Sequence, residues 1–219
     1  MSGLAVHVEG LTRRFGRRWA LRGVDLDVAP GTVLALLGAN GTGKTTLLRV
    51  LSTLLRPTAG TAMVLGVDVS VDPDAVRRRT ALMTPLGHAY EELTGLENLR
   101  FAARMSGDDI RDDALSVGLE DVGLEDAGAL PVRAYSTGMR KRLELARLGL
   151  REPDLVLLDE PFSSLDAPGV ELVQAAIRRW RDGGAAVIIA SHRVVETARH
   201  ADRTVRLENG VLLDTTGTP

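Results

Sequence analysis

Residues 32–46 read TVLALLGANGTGKTT, and this stretch decides the fold. Residues 32–37 form a short continuous apolar run, as a strand buried on both faces of a sheet would read. Residues 38–46, GANGTGKTT, fully match the phosphate-loop pattern GxxxxGK[ST] in the strand-to-helix setting that the pattern requires. Its glycines let the backbone curl so that N–H groups point inward at an anion, and the following helix adds its positive N-terminal end. Leu47, Leu48, Leu51, Leu54 and Leu55 then recur at helical spacing until Pro57 stops the pattern. Phosphate is therefore the expected guest, cradled by Gly38, Asn40, Gly41, Thr42, Gly43, Lys44, Thr45 and Thr46. Lys44 is expected to reach the β- and γ-phosphates, and the Thr45 hydroxyl to ligate Mg²⁺. Of the 27 basic residues only Lys44 and Lys141 are lysine. A compact ammonium on a flexible stem fits inside such a loop where a planar guanidinium fork does not.

Two further apolar runs, residues 155–158 and 185–190, also read as buried strands that end at polar residues. A parallel sheet of α/β class is the natural assembly. The first thirty residues alternate in short segments with turn residues such as Gly10, Gly16, Pro30 and Gly31, which predicts a small antiparallel β region. Residues 91–150 are rich in Leu, Ala, Arg, Asp and Glu without a comparable strand run, which predicts a helical insertion. At residues 155–161, LVLLDEP places Asp159 and Glu160 at the C-terminal end of a buried strand, where ligands collect in open α/β sheets. Asp159 is the expected partner of Mg²⁺, a hard cation that prefers oxygen ligands, which leaves Glu160 free to act as general base on an attacking water.

Composition narrows the function classes. The 27 basic against 29 acidic residues leave a formal charge of −2, so no broad basic field exists to hold nucleic acid, and nucleic acid is not expected as a partner. The absence of cysteine removes disulfides, thiolate metal sites and cysteine nucleophiles. No apolar run approaches the ~20 residues that cross a bilayer.

With these residues in place, the chain resembles the nucleotide-binding subunit of an ATP-binding cassette (ABC) transporter, a P-loop NTPase. The resemblance rests on the phosphate loop, the LLDEP strand and residues 135–139, YSTGM, which look like a variant of that family's LSGGQ signature. It implies a single domain over residues 1–219, with a core lobe of 1–86 and 151–219 and a helical signature lobe of 87–150. It further implies that two copies sandwich two ATP molecules head to tail, with Ser136 and Gly138 touching the γ-phosphate bound by the other copy. The residues add an argument of their own. Ser136 is a good N-cap, yet Arg140, Lys141 and Arg142 crowd the first turns of its helix, where the dipole disfavours cations and an incoming phosphate would resolve the conflict. Phe15 matches the family's adenine-stacking aromatic, and Asp166 in SSLD (163–166) matches the loop that contacts the opposite subunit. His192, after the run AVIIAS, matches the switch histidine near the γ-phosphate.

One departure stands out. The family's loop glutamine, which contacts Mg²⁺ and the attacking water and couples the site to the membrane partner, falls here on Pro85 or Leu86. Gln174 is the only glutamine in the chain, and His88 is the nearest polar replacement. Intact Lys44, Asp159, Glu160 and His192 argue against a dead nucleotide-sensing scaffold. One phosphate loop and no sustained heptads argue against ribosomal or DNA-organising cassettes. Residues 92–104, ELTGLENLRFAAR, and residues 131–148, PVRAYSTGMRKRLELARL, resemble most the ATPase subunit of the haem exporter of cytochrome c maturation, followed by drug and lipid exporters, and on that resemblance a bare cassette without an appended domain is expected. Either resemblance implies a separate multi-span permease and a peripheral location at the cytoplasmic face of the inner membrane.

Overall fold

The computed structural model describes residues 3–85, 87–107, 110–193 and 197–214. In chain order the elements are β1 (Val6–Phe15), β2 (Arg18–Val28), β3 (Val33–Leu37), α1 (Lys44–Leu51), β4 (Ala59–Val64), β5 (Val67–Asp68), α2 (Pro73–Arg79), β6 (Thr80–Met83) and α3 (Gly95–Met105). They continue with α4 (Asp112–Glu120), a 3₁₀ turn (Val132–Ala134), α5 (Thr137–Gly149), β7 (Leu155–Asp159), α6 (Ala167–Asp182), β8 (Ala186–Ser191), β9 (Arg203–Glu208) and β10 (Val211–Asp214). Backbone packing divides the chain into two compact units, one of Met1–Leu82, Pro153–Glu160 and Ile177–Pro219, the other of Met83–Glu152 and Pro161–Ala176.

The first unit is built on a six-stranded sheet of order β10-β9-β3-β8-β7-β6. β3 runs parallel to both β8 and β9, β7 runs parallel to β8, and β10 returns antiparallel to β9. Every residue of β3, β7 and β8 is buried, which is why these strands read as unbroken apolar runs rather than alternating ones. The register pairs Leu37 with Ser191 and Asp159 with Ala190. The C-terminal ends of three neighbouring strands therefore finish at one edge, the place where α/β sheets bind ligands.

A second sheet of the same unit, β2-β1-β4-β5, is antiparallel throughout. It extends beyond the expected N-terminal region because β4 and β5 join it. β4 carries Gly60 at φ +83, where an added Cβ would lie 2.3 Å from the Gly10 carbonyl oxygen, so close strand approach there requires glycine. Leu34, Leu36, Leu47, Leu51, Leu157 and Ile188 belong to the core that joins the two sheets through α1. α1 ends earlier than its leucine spacing predicts. Thr53 turns left-handed at φ 65, and Leu54 is exposed, so the turn rather than Pro57 stops the helix. β6, β9 and β10 escaped the sequence reading: β9 buries only alternate residues, and β6 is a four-residue edge strand after three arginines.

The second unit is helical. α3 begins at a capping box: Glu97 N–H donates to Thr94 Oγ1 (3.2 Å), and Thr94 N–H donates to Glu97 Oε2 (2.8 Å). Leu99, Ala103, Leu115, Leu119 and Leu143 are buried along α3, α4 and α5. Residues 161–176, expected with the core lobe, pack with this helical unit.

Candidate functional site

The expected residues fall into two groups, one in each unit. In the first unit the phosphate loop links β3 to α1. It is pressed from outside by β2 and β9: a Cβ on Gly43 (φ +115) would lie 2.4 Å from the Ala20 carbonyl oxygen, and one on Gly38 2.4 Å from that of Leu207. Lys44 folds back into this loop and is only 5% exposed. Its Nζ donates to the carbonyls of Gly38 (2.7 Å) and Ala39 (3.0 Å). Burial pulls its ammonium down in pKa, opposed by the carboxylates of Glu160 and Asp159. The Thr42 hydroxyl donates to Ala39 O (2.9 Å), and Asn40 and Gly41 are exposed while Thr46 is half-buried. α1 has neither a side-chain cap nor an acidic residue in its first turn.

At the end of β7, Asp159 is 2% exposed and accepts from Thr45 Oγ1 at 2.7 Å. Burial pushes its carboxyl up, the Thr45 hydrogen bond opposes this, and the neighbouring Glu160 adds to the rise. Glu160 sits in the left-handed region at φ 51, uncommon for a residue with a Cβ and a form of local strain that accumulates at functional sites. Three groups that end β8 hold its carboxylate. Ser191 Oγ donates to Oε2 (3.1 Å), His192 N–H donates to Oε1 (3.0 Å), and His192 Nδ1 lies 2.8 Å from the same oxygen. Ser191 is a functional neighbour that sequence reasoning misses. Its only signal is that it is the polar residue closing an apolar strand. Phe15, at the end of β1, is 45% exposed, with the Arg13 guanidinium 4.6 Å above its ring.

In the second unit Ser136 caps α5, accepting from Met139 N–H at 3.2 Å. A Cβ on Gly138 would lie 3.4 Å from the Ser164 carbonyl oxygen. Asp166 accepts from Arg142 (2.8 and 3.1 Å) and from Gly169 N–H (3.0 Å) at the start of α6, and the Arg142 hydrogen bond holds its carboxyl low. The crowded cations of α5 are thus answered within the chain. Arg140 pairs with Glu91, the Lys141 ammonium donates to Ser163 Oγ, and Arg142 pairs with Asp166. The helix start is capped and its cations already have acceptors, so no incoming phosphate is needed to relieve them.

Of the two candidates for the missing glutamine, Leu86 lies outside the described residues and Pro85 is exposed. His88 is held instead by Glu144 of α5, with Nδ1 3.0 Å from Oε1. Glu144 is 3% exposed and also accepts from Arg147 Nη2 (2.6 Å) and Nε (3.0 Å). Burial pushes this carboxyl up, but His88 and Arg147 together outweigh it and hold it down at about 2.

The family model described as ABC transporter matches residues 21–163. The chain belongs to the ABC transporter family, as its ATP-binding domain. It is 42% identical over 215 residues to daunorubicin resistance ATP-binding protein DrrA3 of Streptomyces coeruleorubidus, covering 96% of this chain and 67% of that protein. It is also 42% identical over 183 residues to cytochrome c biogenesis ATP-binding export protein CcmA of Aromatoleum aromaticum, covering 81% of this chain and 84% of that protein. A solved structure of an ATP-binding subunit of an ABC transporter superposes with a TM-score of 0.87 at 27% identity, covering 96% of this chain and 90% of that one.

The buried Glu144 of this ABC domain makes a prediction about stability. Its folded pKa of about 2 lies below the ordinary glutamate value of 4.5, so its contribution is fully present above pH 4.5 and is lost as pH falls toward 2. Glu144→Gln is expected to lower stability at pH 7 by about 2–3 kcal/mol. Urea denaturation across this range is expected to show the gap between variant and wild type closing below pH 4.5.

Proposed function

We propose that this ATPase domain binds Mg-ATP and hydrolyses it to drive export through a separate membrane subunit. The observation that carries the reading is the convergence of Lys44, Thr45, Asp159, Glu160 and His192 at the C-terminal ends of β3, β7 and β8. The donor set fits the nucleotide and its metal. A buried ammonium that among the described residues bonds only to neutral carbonyls gains stronger, charge-assisted acceptors when phosphate oxygens arrive. Thr45 and Asp159 present hard oxygen donors side by side, and among the described residues no cluster of three or more His, Cys, Asp or Glu could cage a metal alone. That pattern suits Mg²⁺, which is held by one or two protein oxygens together with phosphate and water.

Lys44 neutralises charge on the β- and γ-phosphates, and the amides of residues 38–46 bind the phosphate chain. Mg²⁺ on Thr45 and Asp159 would supply further positive charge at the phosphate oxygens. Glu160 accepts the proton of the attacking water, with Ser191 and His192 fixing its carboxylate. Phe15 offers an exposed aromatic face for the base. Ser136 and Gly138 of a second copy complete the site in a head-to-tail dimer, and Asp166 lies in the loop that meets that copy.

Among the described residues no helix is long and apolar enough to cross a membrane. Peripheral attachment through a separate permease at the cytoplasmic face is part of the same reading. Two cargo readings stand. Haem export is supported by the likeness to CcmA, and drug export by the likeness to DrrA3, which runs at the same identity over 215 rather than 183 residues and favours the drug-exporting group.

Glu160→Gln is expected to abolish steady-state ATP hydrolysis while leaving ATP binding within about threefold of wild type, since the amide keeps the shape and loses the base. Hydrolysis at the wild-type rate would remove Glu160 from the role of base. For the cargo, ATPase activity of the complex with its permease is expected to rise with a polycyclic aromatic drug and not with haem; the reverse response would select haem export.

A further inference from the structure

Arg18 stands outside every role assigned above. It is the first residue of β2 and pairs in register with Phe15 of β1, so the two side chains leave the same face of the hairpin. That face looks onto the phosphate loop. Arg18 Nη2 donates to the Gly41 carbonyl at 3.4 Å and lies 3.6 Å from where a Gly41 Cβ would be. The backbone of β2 is fixed against the loop independently of any rotamer, because the Ala20 carbonyl occupies the space beside Gly43 and also that beside Gly210. Gly210 N–H in turn donates to Thr42 O at 3.1 Å.

Like Arg13, which donates to the Arg56 carbonyl, Arg18 has a guanidinium with no carboxylate partner among the described residues. The arginines at 79, 100, 140, 142 and 147 are each paired with a carboxylate, whereas among the described residues Arg18 has none and bonds only to a neutral carbonyl. A long 3.4 Å bond from an exposed guanidinium to a carbonyl is weak, and a phosphate oxygen is a far better acceptor for the same fork.

We propose that Arg18 is an additional phosphate-binding residue of the nucleotide site, reaching from β2 over Gly41 to the phosphate chain of ATP. The inference rests on the ATP-binding reading given above. It makes the hairpin bifunctional: Phe15 receives the base and Arg18 the phosphates, from adjacent strands in one register.

The test is competition binding of adenosine, AMP, ADP and ATP to the purified chain and to Arg18→Ala, in low and high salt. Arg18→Ala is expected to weaken ATP and ADP about fivefold at low salt, with the loss shrinking as salt rises. Adenosine is expected to bind both proteins equally, and Arg18→Lys to recover part of the loss. Equal ATP and ADP affinities for wild type and Arg18→Ala, or an equal loss for adenosine, would overturn the proposal. If the wild type itself fails to bind ATP, the ATP-binding reading fails with it; if the wild type binds and the variant matches it, this inference alone fails.

Discussion

The burial of one ammonium beside two carboxylates is the constraint on which the site depends. Lys44 is almost wholly removed from water, as is Asp159, and Glu160 follows directly in the chain. Desolvation acts against both charged forms, lowering the ammonium and raising the aspartate, while each stabilises the other. A buried charge without a matched partner is costly, so the fold has to bring the loop after β3 and the end of β7 to the same sheet edge. The parallel register does this, and fully apolar strands are what make that register stable.

Glycine and strain complete the arrangement. The phosphate loop is closed in by the carbonyls of Ala20 and Leu207 at distances no side chain tolerates, so the curl of the loop is imposed by its neighbours as well as by its own glycines. Glu160 is held left-handed by the Ala190 carbonyl at its N–H, and its carboxylate is pinned by Ser191 and His192. The acid is thereby held at the end of β8.

Much of this was legible in the residues. The phosphate loop, the buried strands around residues 33–37, 155–159 and 186–191, and the cluster of Lys44, Thr45, Asp159, Glu160 and His192 all follow from apolar runs that end in polar groups. What was not legible depended on partners distant in sequence. β4 joins β1 through a close approach at Gly10 and Gly60 that no local pattern announces. Arg140, Lys141 and Arg142 read as an electrostatic conflict on their helix, and Glu91, Ser163 and Asp166 resolve it from elsewhere in the chain. Glu144 reads as one more surface acid in an amphipathic helix, yet it is buried and shared by His88 and Arg147. Arg18 was hidden in a run of arginines and is distinguished by strand register and by its reach to the Gly41 carbonyl.

The claim at the centre of this account is that the buried Lys44 ammonium holds the triphosphate. Calorimetric titration of Mg-ATP into the wild type and into Lys44→Ala, with circular dichroism to establish that both are folded, tests it most directly. The account predicts that the variant binds Mg-ATP about ten- to a hundredfold more weakly, the effect of losing one charge-assisted contact. Equal affinity in two folded proteins would contradict it.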